Sequence, residues 1–102
     1  MAAVVLKAGA RLKSAVCDTQ IMVLRAPTHA LDLRCGGEEM IAMSEMPPRG
    51  AVQIAGPTLT GKRYVDEMES MEFLCTKGGE GALTVDGTLL SVKQAKQLPS
   101  SD

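Results

Sequence analysis

The clearest local signal in the chain is an Asp-Gly pair between two apolar runs. Leu83-Thr84-Val85 precedes Asp86-Gly87, and Thr88-Leu89-Leu90 follows it. A two-residue turn between antiparallel strands requires positive φ at both of its positions, and Asp and Gly tolerate that conformation better than most residues. The sequence therefore predicts a tight β-hairpin at residues 83–90.

The other apolar runs are short, and most of them end at glycine or proline, which is typical of a chain of short strands. Strands are predicted at residues 21–24, 30–34, 51–54 and 71–75. Short helical segments are predicted only at residues 39–46, ahead of Pro47, and 91–98, ahead of Pro99. We therefore expect a mainly β fold, a small antiparallel β-domain with little helix that spans residues 1–102.

One pattern occurs twice, over residues 11–46 and 61–95. The run 21–24 aligns with 71–74, and the run 30–33 aligns with 82–85 if the second half has two extra residues in its break. Internal duplication explains this pattern, and so does chance in a chain of short strands. Duplication predicts two similar β-units that share one core with pseudo-twofold symmetry.

Composition argues against several classes of partner. The net charge is −1 and the only aromatic residues are Tyr64 and Phe73, so the chain lacks the basic and stacking surface of a nucleic-acid-binding protein. The apolar runs are shorter than the roughly 18 residues that a membrane span requires, and no basic region precedes the apolar N-terminal residues. We expect a cytoplasmic protein that binds neither nucleic acid nor membrane.

Three cysteines, Cys17, Cys35 and Cys75, are an odd number, which argues against a disulfide framework and for free thiols or metal ligands. The segment from Leu12 to Met40, with Cys17 and Leu33-Arg34-Cys35-Gly36-Gly37, resembles the desulforedoxin family, which includes the N-terminal module of desulfoferrodoxin. In that family a Cys-x-x-Cys knuckle and a Leu-x-Cys-Cys-Gly-x-x-Met turn hold one iron through four thiolates. The small β-fold of that family usually pairs as a dimer.

The resemblance implies that Cys17 and Cys35 are the remaining metal ligands of such a site. Ser14 and Gly36 stand where the family has its other two cysteines, and Tyr64 and Glu67 align with the knuckle in the second half. Two thiolates do not close a tetrahedral site. Cys75, His29 or a second chain could complete it.

Three interpretations of Cys17 and Cys35 follow: an iron or zinc site, inert buried thiols, or a reactive thiol or disulfide. The sequence holds no complete catalytic constellation. We therefore expect a small non-catalytic binding or accessory protein without a cofactor, which forms a homodimer or docks as a subunit on a larger protein partner. The alternative is a metalloprotein that uses iron or zinc at the two cysteines for electron transfer or dimer stabilisation.

Overall fold

Short apolar runs separated by glycine, proline and polar residues form an all-antiparallel β structure. The computed structural model describes residues 4–47 and 50–93, and within these ranges it contains strands and turns but no helix. The strands are β1 (Arg11–Lys13), β2 (Gln20–Arg25), β3 (Leu33–Cys35), β4 (Glu38–Glu39), β5 (Ile41–Ala42), β6 (Ala55–Thr58), β7 (Arg63–Val65), β8 (Glu72–Lys77), β9 (Gly79–Gly81), β10 (Leu83–Val85), β11 (Thr88–Leu89) and β12 (Ser91–Val92). The predicted mainly β fold is confirmed.

The strands form one large and two smaller sheets. The six-stranded sheet has the order β12-β7-β8-β2-β1-β5, and the four-stranded sheet has the order β11-β10-β3-β4. Strands β6 and β9 pair separately. The hydrophobic core takes side chains from both larger sheets, including Ile21 and Phe73 from the first and Leu33 and Leu83 from the second. The core therefore lies between these two sheets, and the strands that carry it are only two to six residues long.

Each strand pair of the first half of the chain has an equivalent strand pair in the second half. Arg11 pairs with Met22 in β1–β2, and residues 52 positions later, Arg63 and Leu74, pair in β7–β8. In the four-stranded sheet a shift of 50 relates the pairs: Arg34 lies opposite Glu39, and Thr84 lies opposite Leu89. The central strands β2 and β8, and likewise β3 and β10, pair with each other. The two halves thus have equivalent pairing, while a common origin for them stays a prediction.

The shifts that relate equivalent strand pairs differ by two residues from those of the predicted repeat, and the repeat itself stays a prediction. Shifts of 50 and then 52 were expected, but the pairing gives 52 for β1–β2 and 50 for β3–β5. The longer break is in the first half: residues 26–32 connect β2 to β3, whereas residues 78–82 connect β8 to β10 and include β9. A slip of two residues keeps every strand side chain on the same face, so the apolar pattern could not detect it.

Three predicted elements also differ from the structure. Residues 53–54 form a bend, and the strand expected at 51–54 comes later, as β6, where Pro57 is tolerated because this strand lies at a sheet edge. Residues 39–46 form no helix, since Glu38–Glu39 pairs with β3 and Ile41–Ala42 pairs with β1. In the helix predicted at 91–98, Ser91–Val92 is a strand, and residues 94–98 lie outside the described residues.

Candidate functional site: a buried pair of thiols

The bend between β1 and β2 is organised by the side chain of Ser14. The Ser14 hydroxyl oxygen accepts hydrogen bonds from the backbone N–H groups of Val16 and Cys17, both at 3.1 Å. Ser14 is 1% exposed, so these two N–H groups are satisfied within the protein. A serine hydroxyl that binds nearby N–H groups stabilises a tight turn, and this turn points the Cys17 side chain inward.

The second cysteine lies at the end of β3, directly before a glycine turn. Gly36 and Gly37 both have positive φ, 69° and 93°, and lead into β4. Gly36 also allows the two turns to approach each other, because a Cβ at this position would lie 2.8 Å from Val16 Cγ2. A cysteine at position 36, which the predicted family pattern would place there, would require Val16 to move.

These two turns bring the predicted site residues Cys17 and Cys35 together. Their sulfur atoms are 3.8 Å apart, and the side chains are 7% and 0% exposed. Hydroxyl groups surround Cys17 Sγ: Ser14 Oγ and Thr19 Oγ1 each lie 3.3 Å away. Thr19 is in turn hydrogen-bonded to Thr58 Oγ1 at 2.6 Å. The site is therefore two thiols in a buried pocket with hydroxyl groups on the side of Cys17.

The two thiols ionise very differently. Burial acts to raise the pKa of Cys17, but the hydrogen bonds of the Ser14 and Thr19 hydroxyls outweigh it and lower that pKa from 9.0 to about 7. Burial raises the pKa of Cys35 to about 12, and the charge of the Cys17 sulfur acts in the same direction. Near neutral pH, Cys17 is close to half ionised and Cys35 is a thiol.

Solvent reaches the pair from the side of Cys17. A cleft of about 110 Å³ is lined by Cys17 with Val16, Asp18, Gly79 and Glu80. Cys35 does not line this cleft, and its Sγ points to the carbonyl oxygen of Gly81, at 3.6 Å. A small reagent in the cleft therefore meets Cys17 first.

The described residues do not fit a four-ligand metal site within one chain. No group of three or more His, Cys, Asp or Glu side chains in residues 4–47 and 50–93 is placed to hold a metal ion. Ser14 and Gly36 occupy the two positions at which the resemblance would require thiolates. An iron or zinc site at Cys17 and Cys35 would need further ligands from outside the described residues of this chain, for example from a second chain.

The second half has no equivalent of this site. With the shift of 52, Asp66 and Glu69 take the positions of Ser14 and Cys17, rather than Tyr64 and Glu67 as the sequence alignment had placed them. Asp66 Oδ1 accepts the backbone N–H of Met71, so a carboxylate holds this turn in place of the hydroxyl. The thiol pair belongs to the first half alone.

The other two candidate ligands are Cys75 and His29. Cys75 is fully buried inside β8, where burial raises its pKa and its Sγ donates to the carbonyl oxygen of Lys77, at 3.3 Å. His29 is exposed in a bend between β2 and β3. Neither side chain joins Cys17 and Cys35 in a ligand group among the described residues.

Sequence reasoning missed Thr19, whose hydroxyl group lies beside the Cys17 thiol, and Thr58, whose hydroxyl group is bonded to that of Thr19. One signal for the packing around Thr19 is the glycine-rich segment 78–81, with glycine at three of its four positions. A Cβ at Gly79 would come within 2.6 Å of the Thr19 backbone nitrogen, so this close approach requires glycine. No such signal marks Thr58, which is 39 residues from Thr19.

Comparisons with known proteins give no further assignment. Searches against protein-family models, curated proteins and solved structures find no match. In residues 4–47 and 50–93, no helix has the length and hydrophobicity needed to cross a membrane.

Proposed function

We propose that this chain is a small binding protein that self-associates as a homodimer through an apolar groove beside β6. The groove has a volume of about 260 Å³ and lies between β6 and the β10–β11 hairpin, with Tyr64 of β7 also in its lining. Its lining residues are Ile54, Ala55, Gly56, Pro57, Thr58, Tyr64, Ala82, Leu83, Leu89 and Leu90. None of these side chains is charged, so an occupant must itself be apolar and uncharged.

The observation that supports a second copy as the occupant is the exposed side chain of Leu89 at the groove. Leu89 is 63% exposed, whereas its equivalent in the first half, Glu39, gives that hairpin a charged tip. An apolar projection and an apolar groove on one surface are self-complementary, as a twofold interface requires. In the proposed dimer, Leu89 of each chain enters the groove of the other.

Among the described residues, the outer strands of the two larger sheets favour association through side chains over the addition of a strand. The outer strands of the six-stranded sheet, β5 and β12, have two residues each, and so do β4 and β11 at the edges of the four-stranded sheet. Such short edges offer few backbone groups to a partner strand. A groove that accepts side chains is therefore the better supported contact.

The test is the oligomeric state of the Leu89→Glu variant. This substitution places a carboxylate where the equivalent position of the first half has Glu39. At about 2 kcal/mol per buried leucine and two copies per dimer, the loss is about 4 kcal/mol, or roughly a thousandfold in Kd. We expect the unmodified chain to have the mass of a dimer by light scattering at micromolar concentration, and Leu89→Glu to have the mass of a monomer.

Met68→Glu is the matched control, because Met68 is 84% exposed in the turn between β7 and β8, outside the groove lining. It should remain a dimer. A monomeric unmodified chain would overturn the homodimer, and a dimeric, folded Leu89→Glu would overturn this surface as its interface.

A further inference from the structure

We propose that Cys17 and Cys35 form a reversible intramolecular disulfide in response to a hydroperoxide. This chemistry is separate from self-association through the groove. The argument rests on the distance between the two sulfur atoms, the local structure around each, the route from solvent, and the hydroxyl groups at Cys17.

The distance between the sulfurs is short enough for a bond to form with a local movement. The separation of 3.8 Å must fall to about 2.05 Å, so the sulfurs must approach by a little under 2 Å. Cys35 is held in β3, between β4 and β10, by backbone pairing on both sides. Cys17 lies in a bend, outside the named strands. The bend can therefore supply the movement while the sheet stays intact.

The route from solvent sets the order of the two steps. Cys17 lines the small cleft with Asp18 and Gly79, and Cys35 is fully buried behind it. A hydroperoxide that enters the cleft meets Cys17 Sγ before Cys35 Sγ. The accessible sulfur is thus the one that is oxidised first, and the buried sulfur resolves the product.

The hydroxyl groups at Cys17 suit a sulfur that carries negative charge as it attacks. The Ser14 oxygen already accepts two N–H hydrogen bonds, so its own hydrogen is free to point at Cys17 Sγ when that sulfur has lost its proton. Thr19 Oγ1, at 3.3 Å, can donate in the same way. Cys75 differs, because one hydroxyl group, that of Thr58, bonds to its sulfur, and Cys75 Sγ itself donates to the Lys77 carbonyl oxygen.

The reaction balances with the hydroperoxide as the only oxidant. The Cys17 sulfur attacks a peroxide oxygen, the O–O bond breaks, and the products are a sulfenic acid on Cys17 and an alcohol, or water where the oxidant is hydrogen peroxide. The Cys35 sulfur then attacks Cys17 Sγ. The S–S bond forms, the S–O bond breaks, and water leaves with the proton of Cys35. Two electrons pass from the sulfurs to the peroxide, and a dithiol reductant reverses the change.

The experiment treats the reduced full chain with hydrogen peroxide and maps the products by peptide mass spectrometry. We expect an intact mass lower by two hydrogens, a linkage between the peptides of Cys17 and Cys35, and full reversal by a dithiol reductant. Cys75→Ser is the matched control and should form the same linkage at an unchanged rate. Cys17→Ser should lose the linkage completely.

Cys35→Ser isolates the first step. In this variant oxidation should stop at a sulfenic acid on Cys17, which dimedone captures. Because Cys35 is fully buried, the map of the unmodified chain serves as the primary readout, and it does not depend on the folding of any variant. A linkage that contains Cys75, a linkage only between chains, the absence of any linkage, or iron or zinc bound at one equivalent with both thiols blocked would each overturn the proposal.

Discussion

Ser14 determines the chemistry of the sulfur three residues after it. Its oxygen binds the N–H groups of Val16 and Cys17, which closes the turn, and its hydroxyl lies 3.3 Å from Cys17 Sγ. The same side chain therefore turns the thiol inward in the reduced protein and favours its ionised form.

The pH dependence of Cys17 reactivity follows from these bonds. Since its pKa is lowered to about 7, alkylation of Cys17 by iodoacetamide should be half-maximal near pH 7 and fall about tenfold for each pH unit below. Ser14→Ala removes one hydrogen bond to the thiolate and should move the midpoint to higher pH. Ser70→Ala, which removes an exposed hydroxyl bonded to Asp66, should not move it. Site-resolved mass spectrometry measures the rates, and an unmoved midpoint in Ser14→Ala would refute the role given to Ser14.

The lowered pKa of Cys17 also makes the free energy of unfolding depend on pH. The folded-state pKa of Cys17 is below its unfolded value, so its contribution to the free energy of unfolding is fully present above about pH 9 and is lost as pH falls through 7. Cys35 acts in the opposite direction, because burial raises its pKa. Its contribution is fully present below about pH 9 and is lost as pH rises towards 12.

At the scale of elements, the turns were the most predictable part of the chain. Asp86 and Gly87 have φ of 51° and 83°, as the hairpin prediction requires, and Gly36 and Gly37 form the equivalent turn of the first half. These turns depend on local backbone preferences, which follow directly from the residue types at the turn positions. The sequence predicted that two turns bring Cys17 and Cys35 together. It did not predict the hydroxyl groups of Thr19 and Thr58, because the pairing of β6 with β9, which brings Thr58 close to Thr19, depends on residues distant in sequence.

Gly81 tests how tightly these elements pack around the thiols. An added Cβ at this position would lie 2.8 Å from the Gly36 nitrogen and 3.1 Å from Cys35 Sγ. Gly81→Ala should therefore lower the free energy of unfolding by about 1–3 kcal/mol, measured by urea denaturation.

Gly50→Ala is the control for this prediction, because Val16 Cγ1, the one atom within 4 Å of the added Cβ among the described residues, is 3.7 Å away. It should change stability by less than about 0.5 kcal/mol. Equal stability of the two variants would show that the strand carrying Gly81 is free to move away from β3.

At the scale of the whole molecule, the two halves share one central pair of strands. Ile21 of β2 lies opposite Cys75 of β8, and Val23 lies opposite Phe73, and all four side chains are fully buried. With the shift of 52 residues, Ile21 is equivalent to Phe73 and Val23 to Cys75, so each of these two pairs is the equivalent of the other. Each half therefore supplies part of the core of its partner, and neither keeps a closed core without β2 and β8 together. We expect the halves to unfold as one unit.

Phe73→Ala measures this coupling, because Phe73 is the largest fully buried side chain and lies in the shared strand pair. The substitution should lower the free energy of unfolding by about 3–5 kcal/mol and keep a single denaturation transition. Met68→Ala, at an 84% exposed position, should lower it by less than about 0.5 kcal/mol.

Hydrogen exchange at equivalent amides of the two halves gives the sharper test. The N–H of Val23 bonds to Ala10 O at 2.8 Å, and that of Cys75 bonds to Lys62 O at 2.9 Å. If the halves form one cooperative unit, both amides lose the same protection in Phe73→Ala. If only Cys75 lost protection, the halves would be separate folding units that merely share a sheet.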